Sequence, residues 1–127
     1  MEELLAAAAA ARRHAHAPYS RFAVGAALRA ESGRVFSGAN VECASFPEGW
    51  CAETSALAAM VAAGERRLSE ALVLAEAEAP VTPCGGCRQR LAEFGTAETL
   101  VVSAGPQGER ARWRLGELLP AAFGLVP

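Results

Sequence analysis

The stretch NVECASFPEGWCAETSALAAMVAAG, residues 40 to 64, decides how this chain is built. It begins where an extended apolar run ends, crosses an irregular segment with a proline and a glycine, and becomes an alanine-rich run closed by Gly64. The last part is apolar nearly all round and predicts a buried helix starting near Cys51. Upstream, RFAVGAALRA (21–30) and RVFSGANV (34–41) flank the turn ESG and predict a hairpin. Further upstream, residues 2 to 16 predict a helix, with Glu2 and Glu3 at the positive end of its dipole, Arg12 and Arg13 at the negative end and Pro18 as the stop.

Downstream, ALVLAEA (71–77) reads as a short apolar strand. Thr82 is placed to cap a helix with Pro83 at its first position, running to Phe94 and ending at Gly95. ETLVVSA (98–104) and RARWRLG (110–116) supply two more strands, and ELLPAAF (117–123) a short terminal helix or turn. Strands alternating with helices imply an α/β fold: a three-layer α-β-α arrangement around a mixed sheet of about five strands, one domain over residues 1–127.

Twelve arginines face 14 glutamates with no basic stripe, which argues against a nucleic acid or an anionic membrane as partner and favours a small substrate. The N-terminus carries acids before bases, the reverse of a secretory leader, and its apolar run is too short to span a bilayer, so a cytoplasmic protein is expected. In a reducing compartment four cysteines read as metal ligands or free thiols rather than disulfides.

Cys84 and Cys87, in TPCGGCRQ (82–89), are three apart at a helix start and can grip one ion, while Cys51 begins another helix. Helix N-termini favour thiolates, and three sulfurs at two such ends suit a soft tetrahedral cation, most simply zinc. Spacing leaves two readings open. With Cys43 as fourth ligand the site is a closed, noncatalytic structural zinc; without it the fourth position is free for water. Glu53 lies two residues from Cys51, on a different side of the helix, so it is better placed to touch a ligand of the metal than to chelate it. Alone it would read as a solvated acid of the first turn.

The motifs PYSRFAVGAAL, GANVECASF, CAE, PCGGCRQ, EFG and LLPAAFG resemble, in order and spacing, the small zinc-dependent cytidine deaminases that act on free nucleosides. The resemblance covers nearly the whole chain. It implies one zinc held by Cys51, Cys84 and Cys87, with Glu53 taking a proton from water that attacks C4 of cytosine and passing protons to N3 and the departing amine. It also implies conversion of cytidine and deoxycytidine to uridine and deoxyuridine in pyrimidine salvage. An alternative within the class is a deaminase of nucleoside antibiotics such as blasticidin S.

For the substrate, the resemblance implies that Asn40 and Glu42 bond the ribose hydroxyls, that Phe22 lies against the nucleoside, and that the backbone at Ala52 meets the pyrimidine edge. Phe123 is implied to reach into a neighbouring subunit's pocket, which makes the chain a homotetramer with shared sites. A carboxylate at the 3′ hydroxyl also repels phosphate there, favouring a free nucleoside. Two departures stand out. Thr54 occupies a position where relatives with three cysteines commonly carry arginine, and Cys43 one that is usually asparagine. Arg88 is placed to compensate for the first, or to serve as an ordinary salt-bridge partner. Tyr19, Trp50 and Trp113 read as packing or interface residues.

Overall fold

Alternation along the first strand sends Ala26, Leu28 and Ala30 to one side and Gly25 and Ala27 to the other, and both sets are buried. A strand apolar on both faces must be covered on both. The computed structural model, which describes residues 1–125, shows how. The elements in chain order are α1 (Glu2–Arg12), β1 (Val24–Ala30), β2 (Val35–Ala39), α2 (Ala52–Ala62), β3 (Leu68–Ala75), α3 (Gly85–Phe94), β4 (Leu100–Gly105), β5 (Gly108–Arg114) and α4 (Leu115–Leu118). The strands form one sheet in the order β2-β1-β3-β4-β5, mixed because β3 and β4 are parallel and the other pairs antiparallel. The expected three layers around five strands are present.

Helix α1 lies on one face, where Leu4 and Ala8 pack with Ala27, Leu72, Leu74 and Val102. Helices α2, α3 and α4 lie on the other, where Ala56, Leu57 and Met60 meet Leu28, Leu91, Val101 and Leu115. Parallel pairing of β3 with β4 requires a crossover, and α3 lies within it, so Cys84 arrives after the carboxyl end of β3. The β5 edge carries Glu109, Arg110, Arg112 and Arg114, a charged border that discourages pairing with another strand. No helix among the described residues is long and apolar enough to cross a membrane.

Two glycines set the spacing of the layers. A Cβ on Gly25 would lie 2.1 Å from the Ala8 carbonyl oxygen of α1, and one on Gly38 would lie 2.5 Å from the Ala56 amide nitrogen of α2. The helices therefore seat directly on backbone at these points, one on each face of the β1-β2 hairpin.

Several boundaries differ from the sequence reading. Helix α1 ends at Arg12 rather than residue 16, because the chain turns and His16 pairs with Val41, which in turn pairs with Trp50. Strand β2 stops at Ala39, since Asn40 spends its side chain on the chain before β1. Strand β3 begins earlier, at Leu68, because it follows the register of β1 through Ala30. Thr82 does not cap α3: Cys84 is the N-cap, and the Thr82 hydroxyl accepts a hydrogen bond from Arg88 instead. Helix α2 is buried along Ala52, Glu53, Ala56, Leu57 and Met60 but leaves Ala58 and Ala59 exposed, so it is not enclosed all round within one chain.

Replacing Gly25 or Gly38 by alanine forces a helix off the sheet and is expected to cost about 1–3 kcal/mol or more in denaturant unfolding. Unchanged midpoints for both variants would refute this seating of α1 and α2.

Candidate metal centre and active site

Cys51 is the N-cap of α2 and Cys84 the N-cap of α3, with Cys87 in the first turn of α3. Each N-cap position takes an extended backbone, and each carbonyl accepts the first helical bond, from Ser55 to Cys51 and from Arg88 to Cys84. The unpaired amides of each helix start lie at the same helix end as the sulfurs, without a cap hydrogen bond from either N-cap side chain. The three sulfurs lie within 4.8 Å of one another, with Cys51 and Cys84 separated by 3.8 Å. Cys87 is fully buried, Cys51 half-buried and Cys84 exposed, so the group opens to one side.

This donor set fits one soft cation and takes three of the four positions of a tetrahedral ion. Cys43 is not part of it. Its sulfur donates to the Ser45 carbonyl at 2.9 Å, so the closed site with four sulfurs is ruled out in this arrangement. The thiols act on one another's protons. A hydrogen bond from Cys87 lowers the pKa of Cys51, while donating that bond, together with burial, pushes Cys87 up.

Glu53, in the first turn of α2, is only 5% exposed. Burial raises its carboxyl above the usual carboxylate range, against a smaller opposing effect of its own backbone amide. Its charge is felt at both Cys51 and Cys87. Thr54 Oγ1 lies 3.6 Å from the Cys87 sulfur, so the departure noted at this position puts a neutral hydroxyl beside one of the three sulfurs. Arg88 is turned away from this role, and among the described residues it has no salt-bridge partner either. Its guanidinium donates to the Pro83 carbonyl at 2.7 Å, the Leu118 carbonyl at 2.9 Å and the Thr82 hydroxyl at 3.0 Å.

A second group assembles where the segment before β1 meets the end of β2. Asn40 Oδ1 accepts from the Val24 amide at 2.9 Å, and its Nδ2 donates to the Phe22 carbonyl at 2.8 Å. Glu42 Oε1 accepts from the amides of Tyr19 and Ser20, each at 3.1 Å, and Oε2 accepts from the Ser20 hydroxyl. The Ser20 hydroxyl is the largest influence holding the Glu42 carboxyl below its ordinary range. Beside it opens a cavity of about 330 Å3 lined by Tyr19, Ser20, Glu42, Cys43, Phe46 and Gly49. The sulfurs and Glu53 lie outside that lining.

The structure thus places Asn40, Glu42 and Phe22 in one network and the three cysteines in another, with buried Ala52 between Cys51 and Glu53. Phe123 lies elsewhere, in a groove with Ala92, Thr96 and Leu119, and is 71% exposed. Sequence reasoning missed Ser20 and the Tyr19 amide as the supports of Glu42. The PYS motif was the available signal, but a carboxylate 22 residues away was not legible as its partner. Tyr19 stacks edge-on against Phe46 at 5.3 Å, yet Tyr19 and Trp50 are each 52% exposed rather than buried.

Comparison with known proteins gives a consistent picture. Residues 1–103 match the family described as the cytidine and deoxycytidylate deaminase zinc-binding region. The chain is 40% identical to a cytidine deaminase of Sporosarcina psychrophila, over 97% of this chain and 90% of that one. It is 44% identical to a cytidine deaminase of Halalkalibacterium halodurans, over 94% and 91%. Among solved structures, the cytidine deaminase from Burkholderia pseudomallei superposes with a TM-score of 0.90 at 45% identity, covering 96% of this chain and 98% of that one. The cytidine deaminase from Mycobacterium tuberculosis gives a TM-score of 0.83 at 42% identity, covering 98% and 97%. With three sulfurs gathered at two helix starts and a match of this extent, the chain belongs to the zinc-dependent cytidine deaminases.

Proposed function

We propose that this enzyme hydrolyses the exocyclic amine of cytidine and deoxycytidine, with Cys51, Cys84 and Cys87 holding one zinc and Glu53 carrying the protons. The observation that supports this most directly is the placement of a buried carboxyl in the first turn of the helix that also supplies one of the three gathered sulfurs. Zinc in such a site supplies Lewis acidity, which lowers the pKa of water and readies it as a nucleophile. A dication on three thiolates keeps a formal charge of about −1, so this donor set acidifies water less than neutral imidazoles do. Glu53 supplies the rest as general base.

The reaction balances on one carboxyl. Glu53 takes a proton from water as oxygen bonds to C4, and that proton goes to N3. The remaining proton of the attacking water, now on the C4 hydroxyl, passes through Glu53 to the amino group, the C4–N bond breaks, ammonia leaves and C4 becomes a carbonyl. A group that accepts and then donates works best when its proton affinity is raised toward the working pH, the direction in which burial moves Glu53.

Glu42 is suited to a sugar hydroxyl because Ser20 and two amides already fix its carboxylate, so little rotamer freedom is lost on binding. Its charge disfavours phosphate at the 3′ position. Asn40 acts first as a brace, since both ends of its amide hold main chain, and keeps one N–H and one lone pair for the sugar. Phe22 and the Ala52 backbone flank the nucleoside. The exposed Phe123 ring of one copy packs on the base in another, within a cytoplasmic homotetramer.

Glu53→Gln is expected to keep about one zinc per chain and to lose on the order of 10²–10⁴-fold in kcat; near-normal turnover would remove Glu53 from the chemistry. In metal analysis Cys87→Ser loses zinc whereas Cys43→Ser retains it, and the reverse pattern would restore a site involving Cys43. A substrate panel followed by absorbance is expected to show turnover of cytidine and deoxycytidine but not of cytidine 3′-phosphate, adenosine or an oligonucleotide. Preference for blasticidin S over cytidine would move the enzyme to the antibiotic deaminases.

A further inference from the structure

Helix α3 starts with two of the gathered cysteines, and the next two residues both reach far along the chain. The Arg88 guanidinium joins the Thr82–Pro83 segment, which leads into Cys84, to the carbonyl of Leu118 at the end of α4. Gln89 Nε2 donates to the Phe123 carbonyl at 2.9 Å, across 34 residues. Among the described residues neither side chain meets an acid.

What they hold is otherwise little restrained. After Leu119, whose amide bonds Leu115, the chain turns through Pro120 and Ala121, the latter in the left-handed region at φ 51. Residues 120–125 are exposed. Among the described residues the bond from Gln89 is the only hydrogen bond that reaches this arm beyond Leu119. It takes the main-chain carbonyl of Phe123, a residue that remains 71% exposed. A phenylalanine kept in water forfeits the gain of burying its ring, so a pinned backbone beneath an exposed side chain presents that ring to another surface.

We propose that Gln89 is a positioning residue that presents Phe123, with Arg88 anchoring the base of the same arm, so that the arm and two of the thiols are registered on one helix. The proposal rests on the reading that Phe123 of one copy packs on the substrate held by another. Gln89 touches neither substrate nor metal. It acts through the arm.

The test uses zinc-loaded, full-length Gln89→Ala, Gln89→Glu, Phe123→Ala and Gln89→Ala/Phe123→Ala, measuring kcat and KM for cytidine, zinc content, and amide exchange at residues 121–125. Losing one hydrogen bond to the arm should raise KM about fivefold in both single Gln89 variants, glutamate being of similar size but unable to donate when ionised. Exchange in the arm should quicken, kcat should stay within about twofold and zinc should stay at one per chain. Gln89→Ala should add nothing in the Phe123→Ala background. If Phe123→Ala raises KM while Gln89→Ala changes neither KM nor arm exchange, the positioning role is refuted. Loss of zinc in Gln89→Ala would reassign the residue to the stability of α3. An unchanged KM in Phe123→Ala would overturn the underlying reading of the arm, and this role with it.

Discussion

Everything in the site depends on two helices beginning at the same place. A helix start is a cluster of unpaired amides with partial positive charge, and placing two of them side by side is unfavourable unless negative charge lies between. Here the N-cap sulfurs of Cys51 and Cys84 and the buried sulfur of Cys87 occupy that space. The attraction works both ways: the amides favour thiolates, and the thiolates let α2 and α3 approach. The sheet makes the meeting possible, because the crossover from β3 to β4 delivers Cys84 beside the start of α2.

The electrostatic surroundings are unusually spare. Within the described chain no cationic side chain offsets the thiolates: Arg88 is turned onto carbonyls and a hydroxyl, and the contact from position 54 is a neutral hydroxyl. Backbone dipoles and the Thr54 hydroxyl therefore carry what an arginine would otherwise share. A hydroxyl withdraws less electron density from sulfur than a guanidinium does, so the sulfurs remain stronger donors.

Much of this was legible in the sequence, for identifiable reasons. The layered fold followed from apolar periodicity and the helix starts at Cys51 and Cys84 from local pattern, while the choice of three gathered sulfurs over four came from the resemblance to cytidine deaminases. The role of Asn40 as a brace, the support of Glu42 by Ser20, and the grip of Arg88 and Gln89 on the C-terminal segment were not. Each depends on a partner 16 to 34 residues away that no local pattern specifies. The misplaced cap at Thr82 has a nearer cause. Thr-Pro is a sound local signal for a helix start, yet Arg88, six residues on, engages the hydroxyl, and Cys84 takes the N-cap position instead.

The seam of glycine and alanine between the hairpin and its two helices leaves no room for larger side chains behind the catalytic machinery. A bulkier residue introduced there would find that interior closed. Tyr19, Phe46 and Trp50, by contrast, stand in solvent and can be exchanged without disturbing the layers beneath. The scaffold thereby separates positions pinned by packing from positions open to exchange.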